Sequence, residues 1–229
     1  MSFDPKDIFV VIPAYGESKV IGRTLAPLIQ SGYQVVVVDD GSPDDTEAAL
    51  RGLPIYYLRH SINLGTGAAR QTGMTFALRK GAEYVVHFDA DGQHDASEIP
   101  KMIEPLLAGR ADVTLGTRFH RKEDIDEIPT VRKFVLRGAI LVNAIMTGVR
   151  LSDAHNGFRA FNRDAISKIK LTENRMAYAS ELLTIIRHEK LRIEEVPVHI
   201  VYTDYSTTKG QRNMNAIHIL IDLILNKLF

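Results

Sequence analysis

The chain has 229 residues, 45% of them hydrophobic, and balances 28 Lys and Arg against 28 Asp and Glu; it can bury one substantial core, and its net charge leaves no nucleic-acid footprint. Cysteine is absent, which excludes disulfides and thiolate metal sites and leaves oxygen and imidazole donors, a set that favours a hard cation. No apolar run approaches the ~20 residues that cross a bilayer, and the first seven residues lack the basic start and apolar stretch of a signal peptide, so a cytoplasmic protein, peripheral at most on the membrane face, is expected.

Runs rich in Val, Ile, Tyr and Phe at 8–13, 34–39, 55–60, 84–89 and 112–116 predict buried strands. Helical stretches at 18–30, 43–51, 67–80 and 97–108 lie between them. For the second of these, Ser42-Pro43 followed by Asp44-Asp45 is a start signal: the hydroxyl suits an orphan amide and the acids complement the dipole. Such alternation predicts an α/β fold, with a mostly parallel central sheet flanked by helices. After Gly116 the pattern changes to a charged segment at 118–130 and an apolar helix at 131–147 that carries Arg132, Lys133 and Arg137. A strand near 157–161, a helix at 179–189, a strand at 192–202 and a terminal helix at 214–229 follow. The polar stretch 203–213 is too long for a simple turn and is a candidate lid. Nine of the thirteen residues in 217–229 are apolar, so this helix seals the core, pairs in a homodimer, or lies in a bilayer interface beside the 131–147 helix.

In open α/β sheets ligands bind beyond the carboxyl ends of the strands. Three such ends here are acidic: Glu17 after the first, Asp39-Asp40 on the second, and Asp89-Ala90-Asp91 on the fourth. Carboxylates two residues apart on a turn can reach one hard cation and leave positions open for phosphate oxygens, so Asp89 and Asp91 are candidate metal ligands with Gln93 or His94 as a third. The bland alternative is a turn at Asp91-Gly92 with Asp89 as a loop residue. Gly65-Thr66-Gly67 opens a helix and can present amides to an anion, though its spacing fits neither the dinucleotide fingerprint nor the P-loop.

Taken in order, Pro13-Ala14-Tyr15-Gly16-Glu17, Val38-Asp39-Asp40-Gly41-Ser42, Asn63-Leu64-Gly65-Thr66-Gly67-Ala68-Ala69-Arg70 and Asp89-Ala90-Asp91-Gly92-Gln93-His94 resemble the GT-A glycosyltransferases of family 2. Gly116-Thr117-Arg118, Asp153, Asn156-Gly157-Phe158-Arg159, Glu195-Val196-Pro197 and Tyr205-Ser206-Thr207-Thr208-Lys209-Gly210 extend the likeness, which is closest to the polyprenyl-phosphate sugar synthases, the dolichyl-phosphate mannose synthase group. The resemblance implies a single GT-A domain, with 1–116 as the nucleotide-sugar half and 117–229 as the acceptor half. It implies an inverting transfer from a UDP- or GDP-linked sugar, assisted by Mg²⁺ or Mn²⁺, to a polyprenyl or dolichyl phosphate or a glycan acceptor. By the same likeness Pro13, Ala14, Tyr15 and Glu17 line the base and ribose, and Asp40 meets their edge. Gly67 and Arg70 approach the donor phosphates, Arg70 replacing the basic residue that many relatives carry where Thr66 stands. Arg118, Arg132 and Arg137 hold the acceptor phosphate, and Lys209 closes over the donor diphosphate. Some relatives have a serine one helical turn beyond the second arginine; Val135-Leu136 stand there in this chain. Asp153 or Glu181 would serve as base toward a hydroxyl, whereas a phosphate acceptor is already anionic and needs none; Asp153 equally suits a structural role beside Asn156 and Arg159. The competing readings are a sugar nucleotidyltransferase, which normally has a basic glycine-rich loop after the first strand, and a non-catalytic nucleotide-sugar-binding module.

Overall fold

The computed structural model describes residues 3–117, 151–153 and 156–201. The elements expected at 118–130, 131–147, 203–213 and 214–229 lie outside them, and so do Arg118, Arg132, Arg137 and Lys209.

Seven strands among the described residues form one sheet: β1 (Ile8–Ala14), β2 (Gln34–Asp39), β3 (Tyr56–Arg59), β4 (Tyr84–His87), β5 (Val113–Thr117), β6 (Arg159–Asn162) and β7 (Ile193–Pro197). Six helices accompany them: α1 (Ile21–Gln30), α2 (Thr46–Leu50), α3 (Thr66–Arg79), α4 (Ile99–Leu107), α5 (Arg163–Lys168) and α6 (Tyr178–His188). The strand order is β3-β2-β1-β4-β6-β5-β7, parallel throughout except for β6, which runs antiparallel to both its neighbours. Chain order runs outward from β1 to β3 and then returns to β4 on the other side of β1. That reversal opens a crevice at the carboxyl ends of β1 and β4, where open α/β sheets take their ligands.

The sheet is buried on both faces, which accounts for the unbroken apolar runs. Side chains alternate along a strand. Ile8, Val10, Ile12, Val35 and Val37 therefore join one cluster with Leu25 of α1 and Met102 and Ile103 of α4. Phe9, Val11, Val36 and Val38 join the other with Met74 of α3 and Leu182 and Leu183 of α6. At Gly73 a side chain would overlap Val11, so this glycine lets α3 lie directly on β1.

Several boundaries depart from the sequence reading for local reasons. The helix expected at 43–51 begins at Thr46. Ser42 does not cap it, because its Oγ accepts the Gly16 amide at 3.0 Å and its own amide donates to Asp39 Oδ1 at 2.7 Å. Asp44 receives the Thr46 amide instead, at 3.2 Å. It also takes the Ser18 amide at 3.1 Å, and α1 starts only at Ile21. The strand expected over 192–202 ends at Pro197, followed by a lone bridge from Ile200 to His94.

Candidate active site

The loops after β1 and β2 are laced together. Successive amides of Gly16, Glu17 and Ser18 donate to Ser42 Oγ, Thr46 Oγ1 and Asp44 Oδ2 at 3.0, 3.1 and 3.1 Å. One strand lower, the Asp40 amide donates to the Ala14 carbonyl at 2.8 Å. Gly16 has φ +66°, a left-handed turn open to glycine at no steric cost. Pro13 and Ala14 close β1 beneath this loop, Glu17 is buried, and Tyr15 stands 45% exposed. Burial, with the hydrogen bond to Asp39, pushes the Tyr57 hydroxyl up to about 12. Asp39 is thus committed to the scaffold.

Asp40, expected at the base or ribose edge, faces inward. Its carboxylate accepts the Leu64 and Gly65 amides at 2.9 and 2.7 Å and meets His60 Nδ1 at 2.7 Å, anchoring the loop from β3 to α3. Gly67, expected near a phosphate, is likewise committed. Its amide and that of Ala68 donate to the Asn174 carbonyl at 2.8 and 3.3 Å, and a side chain at Gly67 would run into the Glu173 carbonyl. A peptide oxygen thus occupies the anion-seeking end of α3. Glu181 holds the same strap: its oxygens accept the Thr172 amide and hydroxyl and the Glu173 amide, the last at 2.9 Å.

The turn after β4 is fixed from three sides. Thr24 Oγ1 donates to the Ala90 carbonyl at 3.0 Å, Gly92 turns the chain with φ +77°, and the Val201 amide donates to the Gln93 carbonyl at 2.8 Å. Within it the two acids differ. Asp89 Oδ1 is paired with Arg70 Nη2, and Oδ2 meets His94 Nε2 at 3.0 Å. Gly157 packs so closely on this carboxylate that any side chain there would overlap it. Burial would raise the Asp89 pKa, but the Arg70 charge and the His94 hydrogen bond hold it far below the carboxylate range. Among the described residues, Asp91 Oδ1 accepts the Gln93 amide alone, at 3.0 Å. Its pKa is pushed up by burial and then by the charges of Asp89 and Glu17, so a cation beside Asp91 would relieve an unfavourable concentration of negative charge.

Behind Asp89 lies a polar cluster. Arg70, expected at the donor phosphates, is instead 2% exposed, and both its guanidinium and that of Arg159 lie over the Tyr178 ring, at 5.3 and 5.5 Å. His87 is fully buried edge-on to Phe161 with no hydrogen-bond partner for either ring nitrogen among the described residues, and burial with the two arginine charges keeps it neutral. Asp153 is buried too, its negative charge acting on Arg159, in a turn that Glu195 anchors through the Ser152 amide at 2.8 Å. The sequence reading singled out neither His87 nor Tyr178. A signal existed: His87 and Arg159 interrupt apolar strands, where a polar group needs a compensating neighbour.

Residues 9–170 match the family described as glycosyl transferase family 2. Among curated proteins, the chain is 30% identical to a UDP-N-acetylglucosamine–dolichyl-phosphate N-acetylglucosaminyltransferase of Methanococcus voltae, over 97% of each chain. It is 30% identical to an undecaprenyl-phosphate mannosyltransferase of Micrococcus luteus, over 88% of this chain and 86% of that one. A glucosyl-3-phosphoglycerate synthase from Mycobacterium tuberculosis, solved with Mn²⁺, UDP and phosphoglyceric acid, superposes with a TM-score of 0.66 at 20% identity, over 92% of this chain and 73% of that one. At that identity the likeness speaks for the GT-A fold alone.

Proposed function

Starting from a chain that belongs to glycosyl transferase family 2, we propose that it moves a sugar from a nucleoside-diphosphate donor to a polyprenyl or dolichyl phosphate, with inversion at the anomeric carbon. The observation that carries this reading is Asp91, a part-buried acid beside the negative charges of Asp89 and Glu17 at the mouth of the β1–β4 crevice. Mg²⁺ or Mn²⁺ fits there as a hard cation on an oxygen site. Among the described residues no three acidic, His or Cys side chains gather to hold an ion, so a metal on Asp91 and Gln93 would complete its shell with diphosphate oxygens and water. When bound, the ion neutralises the departing nucleoside diphosphate.

The remaining work falls to the chain. Tyr15 stacks on the base, and Pro13, Ala14 and Glu17 shape the ribose side. Asp40 holds the neighbouring loop in place. Arg118, Arg132 and Arg137 grip the acceptor phosphate and Lys209 covers the donor diphosphate, assignments that rest on the sequence motifs. An anionic phosphate oxygen attacks without a base, which leaves Glu181 to its strap and Asp153 to ordering Arg159. Residues 1–116 serve the donor and 117–229 the acceptor. No helix among the described residues is long and apolar enough to cross a membrane; the apolar stretch of sequence at 217–229 meets the cytoplasmic membrane face or a second copy.

Incubation with UDP- and GDP-sugars and a short-chain polyprenyl phosphate in Mn²⁺ should release one nucleoside diphosphate per glycolipid formed. Pyrophosphate release would instead make the protein a nucleotidyltransferase, and Mn²⁺-dependent binding with no turnover on any donor would make it a binding module.

A further inference from the structure

The Asp89–Asp91 turn carries two acids, and the fold neutralises only one. Arg70 reaches Asp89 from the first turns of α3. Its side chain is 2% exposed, and its Nε and Nη1 have no hydrogen-bond partner among the described residues. The guanidinium is packed on Tyr178, and Gly157 and His94 close around the carboxylate that it serves. An arginine in such a position neither gives up its proton nor swings away to solvent, so its charge is a constant of the site.

We propose that Arg70 is a positioning residue that keeps Asp89 neutralised and fixed, so that the nucleotide-free site holds a divalent cation only weakly and takes it up together with the diphosphate. This deepens the metal reading of Asp91 given above and rests on it. Two independent features support it. Asp89 has each oxygen engaged by a protein donor, leaving Asp91 as the acid able to meet an ion. The described residues also offer no three-ligand cage, so phosphate oxygens must supply much of the shell. A pair of acids without Arg70 would draw the bare cation; with Arg70 the turn carries one net negative charge.

Calorimetric titration of the full chain with Mn²⁺, alone and with UDP or GDP, tests this. Removing the fixed positive charge in Arg70→Met should tighten nucleotide-free Mn²⁺ binding by about tenfold, on Coulomb's law in a partly screened site, while turnover falls. Arg70→Lys, which keeps the charge, should return Mn²⁺ affinity toward wild type. A purely structural role for Arg70 would loosen Mn²⁺ binding, so unchanged or weaker nucleotide-free affinity in a folded Arg70→Met protein overturns the proposal. Should that variant fail to fold by circular dichroism, the double variant Arg70→Met/Asp89→Asn, which removes both charges, decides. It should bind Mn²⁺ with nucleotide within about tenfold of wild type, the factor that about 1.4 kcal/mol represents; a larger loss would make Asp89 itself a ligand and overturn the proposal. Asp91→Asn separates the two layers: it should abolish Mn²⁺ binding in every background, and if it does not, the metal reading fails whatever Arg70 does.

Discussion

The loops that end β1 and β2 and the cluster behind Asp89 are both polar, yet they are held in opposite ways. The first pair is laced by hydroxyl and carboxylate oxygens that accept backbone amides, as with Gly16 on Ser42 and Glu17 on Thr46. Each bond of this kind contributes about 1 kcal/mol, and the buried carboxylates among the acceptors, Asp39 and Asp40, answer to amides, a hydroxyl and an imidazole rather than to a buried arginine. The second region buries two arginines, two histidines and Asp153 behind the partly exposed Asp89, with both guanidiniums over Tyr178, drawn from α3, β4, β6, α6 and the adjoining turns. Removing one partner of such a set costs about 3–5 kcal/mol, because the charge left behind has nowhere to go. The side proposed for the nucleotide is therefore a surface shaped by many small interactions, and the turn proposed for the metal is a rigid edge backed by a few large ones. This division suits a site in which one part accommodates a ligand and the other fixes where charge is placed.

The contrast can be broken or sharpened by substitution. Gly157→Ala strikes the rigid edge: the new methyl must displace the Asp89 carboxylate, and a shift of an ångström there should cut kcat by about 100-fold with nucleotide affinity less affected. Full activity in this variant would show that the turn is not held from behind. Tyr15→Ala strikes the accommodating side and should raise the Kd for nucleoside diphosphate by about tenfold, the worth of one stacked base, with circular dichroism unchanged. An unaltered Kd by calorimetry would move the base elsewhere. Asp112→Asn is the smallest perturbation and removes an ion pair outside both regions. Its hydrogen bonds from Arg192, the largest influence, lower the Asp112 pKa to about 2. A depressed acid stabilises the fold fully above its unfolded pKa, roughly 4, and loses that contribution as pH falls toward the folded value. Arg192 is more than half exposed, so the effect should stay below about 1 kcal/mol. Urea midpoints across that pH range should fall less steeply in Asp112→Asn than in wild type; an identical slope would mean the pair does not hold in solution.

Much of this was legible in the residues. The five strands expected before Gly116 all exist, β2 with the predicted bounds, because a run such as Gln34–Asp39 is apolar on both faces and only a covered sheet satisfies that. The order of acidic strand ends located the crevice, because connections in a parallel sheet bring those ends to one side. The sequence was less informative where a side chain had a choice of partner. Ser42 beside Pro43 has the chemistry of a helix cap, yet the Gly16 amide lies closer to hand once the two loops meet. Asp40 and Gly67 sit in stretches that the sequence reading assigned to ligand binding, but their hydrogen bonds go to the chain's own loops. The antiparallel direction of β6 was equally hidden, since a strand's alternation reads the same in either direction.

Hydrophobic period and turn chemistry, which act over a few neighbouring residues, were enough to determine an α/β sheet with an acidic turn after its fourth strand. Which acid of that turn is neutralised was decided only when Arg70 on α3, His94 beyond the turn and Gly157 before β6 came together around Asp89. Electrostatic pairing depends on distance in space, and residues 70, 89 and 157 become neighbours only through the folding of the whole sheet.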